Sequence, residues 1–281
     1  MIQRTFMPGS EWLFLKIYTG NKTAEKLLEK EIRNIVKYLQ SEKEIEKWFF
    51  LRYSDPDYHI RIRFLTTNPA ILGIIYKKLQ PAIKQGKIWK MQVDTYNREL
   101  ERYHPALIEV AESIFYNDSK ASLEILPLIT NEDVRWMASV KMIDAFLSDF
   151  LLDLDGKLQI MTQMSEAYKK EFGYDKNFKP LGDKYREHRK MVEEVLENKH
   201  ENDFFIKLSL ILQKRSKDNI PVIAQFKEIC KKKKIESDRI INSYIHMMMN
   251  RLFIHSARMH ELLIYYFLYK YYLGKKARNK N

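Results

Sequence analysis

Apolar and polar residues along the first hundred positions follow two periods in turn, and the switching predicts a sheet interleaved with helices. Residues 11–19 alternate as a strand closed by Gly20 and Asn21, after which apolar residues fall at 24, 27, 28, 32, 35, 36 and 39, the spacing of an amphipathic helix. Residues 48–53 read as a second strand. The following Ser54-Asp55-Pro56-Asp57 is a tight reversal, so the strand opening at His59 runs antiparallel to its predecessor. Asn68-Pro69 starts a second helix with the stripe Ile71, Leu72, Ile74, Ile75 and Leu79, and residues 89–96 form a fourth strand. Strand, helix, two strands, helix, strand is the split βαβ, or ferredoxin-like, order.

Beyond Glu99 the pattern is helical throughout, with helices expected over 99–116, 131–154, 158–172, 183–196, 203–215, 222–233, 238–253 and 256–272. Gly156, residues 173–180 and residues 198–200 mark joints, and the last residues from Gly274 read as a frayed basic tail. No repeat and no long linker interrupts the chain. The expected class is α+β: an antiparallel ferredoxin-like part over 1–98 and a helical part over 99–281, the two forming one compact domain. The helices are expected to lie across the open sheet face and leave a cleft there.

The strand from His59 gives that expectation its chemistry. Alternation places His59, Arg61 and Arg63 on one face and Ile60, Ile62 and Phe64 on the other, so one side builds core and the other is a row of cations. Like charges on a sheet face repel, so the row either meets water or meets an anion. In Tyr96-Asn-Arg98-Glu-Leu-Glu-Arg102-Tyr103, Arg98 and Arg102 are four apart and would share a helix side next to the sheet edge, either joining that row or making ordinary ion pairs with Glu99 and Glu101. Asn242, His246 and Asn250 share a face of a later helix. An imidazole there is either a hydrogen-bonded structural group or one that moves protons near neutrality. Met247, Met248 and Met249 read as core filling.

Composition narrows the alternatives. The 281 residues carry a net charge of +12 and 45% apolar residues, ample for a core and inviting to an acidic partner, although much of the charge is lysine scattered along helices. Cys230 is the single cysteine, so an internal disulfide and a thiolate zinc site are excluded and a reducing cytoplasm is the expected setting. Pro8, Gly9 and Glu11 break up the start where a signal peptide would be apolar, and the apolar run 262–269 is too short to span a bilayer. With eight glycines, no phosphate loop and no nucleophile elbow, a nucleotide enzyme is not expected, nor any metal or cofactor. The strand order is also that of RNA-recognition domains, but the row His59, Arg61, Arg63 stands where stacking aromatics would be needed.

Taken together, Phe6-Met-Pro-Gly-Ser-Glu-Trp12, Trp48-Phe-Phe-Leu-Arg52-Tyr-Ser-Asp-Pro56, His59-Ile-Arg61-Ile-Arg63-Phe64, Tyr96 to Tyr103, Asp118-Ser119 and His246-Met-Met-Met-Asn250-Arg251-Leu252 resemble a known family. It is the C-terminal elimination domain of class I lantibiotic dehydratases, also called the thiopeptide-type bacteriocin biosynthesis domain. The resemblance implies a β-elimination in which a glutamate ester leaves a peptide Ser or Thr as dehydroalanine or dehydrobutyrine forms. It implies catalytic roles for Arg61, Arg63, Arg102 and His246, and substrate holding by Arg52, Tyr53, His59, Tyr96, Arg98 and Asn250. Full-length members carry a preceding domain that glutamylates the peptide from glutamyl-tRNA. The chain therefore resembles a stand-alone or split version, with a precursor peptide and a separate tRNA-dependent glutamylation subunit as partners. Full-length members often dimerise, so a homodimer is a further possible partner, and residues 265–272 are open to reading as an interface or an ordinary buried helix. Family members commonly have glycines after Glu-Arg-Tyr, where His104-Pro105 stand here. Stand-alone relatives of the same fold instead join two dehydroalanines in a four-plus-two cycloaddition, and a non-catalytic basic module that binds tRNA or scaffolds a complex is a further alternative.

Overall fold

The computed structural model describes residues 2–174, 179–199 and 202–279, so His200 lies outside the described residues. They fall into two compact units, one from Met1–Pro127 with Gln225–Ile235, the other from Leu128–Ala224 with Glu236–Asn281.

In the first unit β1 (Thr5–Phe6) pairs with β6 (Tyr96–Asn97), while β2 (Trp12–Tyr18), β3 (Lys47–Tyr53), β4 (His59–Leu65) and β5 (Lys90–Asp94) form an antiparallel sheet in the order β3-β4-β2-β5. This is the ferredoxin-like order that the sequence pattern predicts. The apolar side of the sheet is dry, with Leu15, Ile17, Phe50, Ile60, Ile62 and Phe64 all fully buried. Burial of each such side chain contributes about 1.5–3 kcal/mol. The first helical stretch is α1 (Asn21–Leu27) and α2 (Arg33–Ser41), joined through a wider turn at Leu28–Ile32, and the second is α3 (Ile71–Lys84).

The predicted helix over 99–116 is broken into α4 (Leu100–Tyr103), a tight turn at Pro105–Leu107, and α5 (Ile108–Ile125). The break is His104, at φ 65°, a conformation that glycine adopts freely and other residues rarely do. This explains why glycine suits the position; here the imidazole offsets the strain by accepting the Ala106 N–H at 3.1 Å. Helix α5 lies along the outer edge of β3, where the Ser119 hydroxyl accepts the Phe50 N–H at 3.3 Å and Lys47 donates to Ser113 at 2.9 Å. That edge is therefore closed to further strands.

The second unit holds α6 (Glu132–Asp149), α7 (Leu154–Glu171), α8 (Lys179–Leu196), most of α9 (Asp203–Lys233), α10 (Asp238–Leu252) and α11 (Ala257–Arg278). Asn131 and Asp153 cap α6 and α7 by accepting the N–H groups of Val134 and Gly156 at 2.9 and 2.8 Å. Gly156 thus sits in the first turn of a helix and is not a joint. Helix α9 runs unbroken through Pro221, where two helices are expected from sequence. Helix α11 continues to Arg278, so residues 274–278 of the expected tail are helical, and residues 280 and 281 lie outside the described residues. Of the run 262–269, Leu262, Ile264, Tyr265, Phe267 and Leu268 are buried, which is the ordinary reading of that helix. Among the described residues no helix is long and apolar enough to cross a membrane.

A buried ion pair ties α5 to the strand end. Arg98 grips Glu112 with two bonds of 2.7 Å and Tyr96 donates to the same carboxylate at 2.9 Å. Glu112→Ala should lower stability by about 3–5 kcal/mol, because the Arg98 charge remains buried without its chelating partner, whereas Arg98→Met with Glu112→Leu should cost much less. Chemical denaturation of the three proteins checks the ordering.

Candidate active site

Strand register assembles the charged face of the first unit in rows. Phe49, Arg63, Phe14 and Asp94 stand side by side across β3, β4, β2 and β5; Leu51, Arg61, Lys16 and Gln92 form the next row, and Tyr53, His59, Tyr18 and Lys90 the third. Direct partners in an antiparallel pair share a face, so every one of these side chains projects to the side opposite the dry core.

Each cation in the rows is held differently. The Arg63 guanidinium sits 4.1 Å from the centre of the Phe14 ring, 4.7 Å from Tyr96 and 5.2 Å from Phe49. Arg63 is only 9% exposed, and among the described residues its Nε and Nη1 have no hydrogen-bond partner. Burial pushes its pKa down, opposed by the nearby Tyr96, Glu99 and Glu112. Three ring faces stabilise a cation, but they offer no acceptor to its N–H groups. Arg61 lies 3.4 Å over the Tyr53 ring and donates from Nε to His59 Nε2 at 3.0 Å. His59 Nδ1 is 2.7 Å from the Asp57 carbonyl, so its proton is on Nδ1 and the ring is neutral. Lys16 is paired with Asp94, whose carboxylate is held below its ordinary range chiefly by that lysine.

Arg102, on α4, pairs with Glu99 at 3.3 Å and is 36% exposed. Tyr96 turns its ring to Arg63 while its hydroxyl is anchored on Glu112, and burial drives that hydroxyl's pKa well up.

Two of the expected site residues lie away from the cationic row. Arg52 lies on the apolar, helix side of the sheet, in a 2.5 Å ion pair with Glu25 of α1, because it shares the parity of Trp48 and Phe50 in its own strand. Arg98 precedes the helix that would have aligned it with Arg102, and its guanidinium is spent on Glu112. Both arginines brace the first unit and neither joins the row of Arg61 and Arg63. The rows also contain Phe14, Tyr18, Phe49 and Tyr53, so the face is rich in aromatics after all. Attention to the parity of residues 12–18 and 48–53 would have revealed them. The Tyr53 and Phe14 rings serve as platforms for Arg61 and Arg63.

In the second unit Asn242, His246 and Asn250 lie along the half-buried stripe of α10, as their spacing predicts. His246 Nδ1 is 2.9 and 3.0 Å from the two oxygens of Glu261, a residue of α11 with no exposed surface. The carboxylate also accepts from Tyr168, and from Tyr265 at 3.3 Å, with Arg258 3.6 Å away. Burial next to this carboxylate pushes both tyrosine hydroxyls up in pKa, so they stay protonated as donors. An acceptor on Nδ1 fixes the ring's orientation and directs Nε2 away from Glu261. Among the described residues Nε2 makes no hydrogen bond, and the side chain is 22% exposed. Sequence reasoning missed Glu261; its signal is a lone carboxylate opening the apolar run of α11, one turn before Tyr265.

Fold and groups define a ferredoxin-like α+β protein with an aromatic-walled arginine site and, on its helical part, a carboxylate-oriented histidine. The chain belongs to the Lantibiotic biosynthesis dehydratase C-term family, whose profile matches residues 12–272. The nisin biosynthesis protein NisB of Lactococcus lactis subsp. lactis is 30% identical over 284 residues, covering 98% of this chain and 26% of that protein. The subtilin biosynthesis protein SpaB of Bacillus subtilis is 28% identical over 265 residues, covering 89% of this chain and 24% of that protein. The chain thus spans about a quarter of these relatives. In shape it matches the tRNA-dependent lantibiotic dehydratase MibB from Microbispora sp. 107891 with TM-score 0.73 and 19% identity, over 97% of this chain and 29% of that one. It also matches TbtD, the pyridine synthase of thiomuracin biosynthesis, with TM-score 0.61 and 11% identity, over 95% of this chain and 98% of that one.

Burial lowers the pKa of His59 below 6.5, so its protonation favours the unfolded chain and stability drains away as pH falls below that value. NMR of the folded protein should show the His59 ring as the Nδ1–H tautomer with a titration midpoint under 6.5. A midpoint at or above 6.5 would contradict the arrangement with Arg61.

Proposed function

We propose that the chain is a lyase that removes glutamate from glutamylated Ser or Thr of a ribosomally made precursor peptide, leaving dehydroalanine or dehydrobutyrine. The observation that carries this reading is Arg63: a buried, permanently charged fork among three aromatic rings, with Nε and Nη1 unpartnered. Such a fork suits a planar carboxylate, which takes two parallel N–H bonds. Family membership supports the same reading.

The chemistry follows from the groups. His246 Nε2 takes the α-proton of the esterified residue while Glu261 holds the imidazole that becomes cationic. The electron pair released at Cα forms the Cα=Cβ bond, and the Cβ–O bond breaks with its electrons on the departing glutamate carboxylate. Arg61 and Arg63 stabilise the negative charge that grows on that carboxylate, with Arg102 holding the glutamyl group and Tyr53 and Tyr96 fixing the guanidiniums as ring platforms. His59 orients Arg61 through the bond to its Nε. Asn250, one turn from His246 on the same stripe of α10, is assigned to holding the peptide. A glutamylation step that draws on glutamyl-tRNA supplies the ester.

A second reading, pyridine formation from two dehydroalanines, is favoured by the match to nearly the whole of TbtD. That reaction releases no carboxylate for Arg63 to receive, and the sequence similarity lies with NisB and SpaB.

Mixing the protein with glutamylated precursor should release glutamate and yield dehydrated peptide by mass spectrometry. His246→Asn should slow this about 10²–10⁴-fold, and Arg63→Lys about 10²–10³-fold, with the glutamylated peptide accumulating. Wild-type protein that leaves the ester intact but consumes a dehydroalanine peptide would replace this reading with the second.

A further inference from the structure

The two edges of the sheet are treated differently. Helix α5 closes the edge at β3, whereas β5 pairs with β2 on one side and, among the described residues, has no strand on the other. Beside that free edge runs a groove of about 830 Å³ between β5 and α3, lined by Leu15, Leu72, Gly73, Tyr76, Trp89 and Val93 among others. Trp89 and Tyr76 are 56% and 49% exposed, a large apolar surface to leave beside unpaired backbone. Gly73 of α3 lines the same groove, and a side chain added there would meet no atom within 4 Å, so a bulky residue at this position would fill the groove without disturbing the helix.

Charge says what kind of segment fits. Residues 66–93 contain Lys77, Lys78, Lys84, Lys87 and Lys90, all exposed, and no Asp or Glu. We propose that β5 and the α3 groove take an extended segment of the substrate peptide with alternating apolar and acidic residues, added to the sheet as a fifth strand. Main-chain bonds to β5 give affinity, alternate apolar side chains enter the groove, and the acidic residues, on the other sheet face, meet the lysines at the start of β5, of which Lys90 stands over the Tyr18 ring on that face. An added strand lies three strand spacings from β4, about 14 Å, so it would tether the peptide within a few residues of Arg61 and Arg63. This rests on the reading of the chain as a peptide-modifying enzyme.

The test uses a fluorescein-labelled synthetic peptide of alternating valine and glutamate, titrated into the full chain by anisotropy. We expect saturable binding, a shift in Trp89 emission, and at least tenfold weaker binding in Gly73→Trp and in Lys87→Glu with Lys90→Glu. Gly73→Ala should bind as wild type, and methylating alternate backbone nitrogens of the peptide should abolish binding. Equal binding by Gly73→Trp, or equal binding of a valine–lysine peptide, would overturn the proposal. So would a concentration-dependent dimer in sedimentation that Gly73→Trp disperses, since the groove would then take a second copy. Elimination is followed in parallel. Gly73→Trp should raise KM for long glutamylated peptides and leave kcat and turnover of a short glutamylated fragment unchanged. If wild type eliminates nothing while the valine–glutamate peptide still binds, the lyase reading fails and the docking site stands.

Discussion

A guanidinium buried without a countercharge on its donors is an expensive feature, and the first unit is organised around one. Arg63 is tolerated because three ring faces replace water around the cation, and each ring is fixed by something else. Phe14 and Phe49 are its cross-strand neighbours in register. Tyr96 is anchored by the Glu112 carboxylate, which Arg98 holds in place. The ion pair of Arg98 and Glu112 is thus remote support for the Arg63 cage: it sets where the Tyr96 ring can lie. Arg61 follows the same logic one row along, stacked on Tyr53 and oriented by a neutral His59.

The second unit solves a different problem with similar means. An imidazole that moves protons must present one nitrogen in a fixed direction, and Glu261 does this from a site with no exposed surface. Tyr168 and Tyr265 satisfy the remaining lone pairs of that carboxylate, so its burial is matched by hydrogen bonds. The polar stripe of α10 with three buried methionines behind it keeps His246 at the surface of a packed helix. In the proposed elimination the arginines receive negative charge and the histidine accepts a proton.

Much of this was legible in the chain before any coordinates. Period-2 and period-3.6 patterns place the four main strands, their order and the helices, and the alternation of His59 to Phe64 sets the charged face. What escaped notice depends on contacts between distant segments. Arg52 and Arg98 read as site residues because an arginine near a site motif looks alike in sequence whatever it meets; their partners Glu25 and Glu112 lie on other elements. Glu261 carried no motif, since its partner is fifteen residues away on the preceding helix. The break at His104 was legible only as a departure from expected glycines, and its left-handed backbone supplies the reason. Pro221 misled in the other direction, because a long helix accommodates one missing N–H when the rest of its length is held.

The most direct test is a crystal structure of the chain with a precursor fragment in which the glutamyl ester is replaced by a stable amide. The account predicts a glutamyl carboxylate gripped by Arg63, with Arg61 and Arg102 on the same group, and His246 Nε2 directed at the α-carbon of the modified residue. A glutamyl group bound elsewhere, with the Arg63 fork still unengaged or His246 turned from the α-carbon, would contradict it.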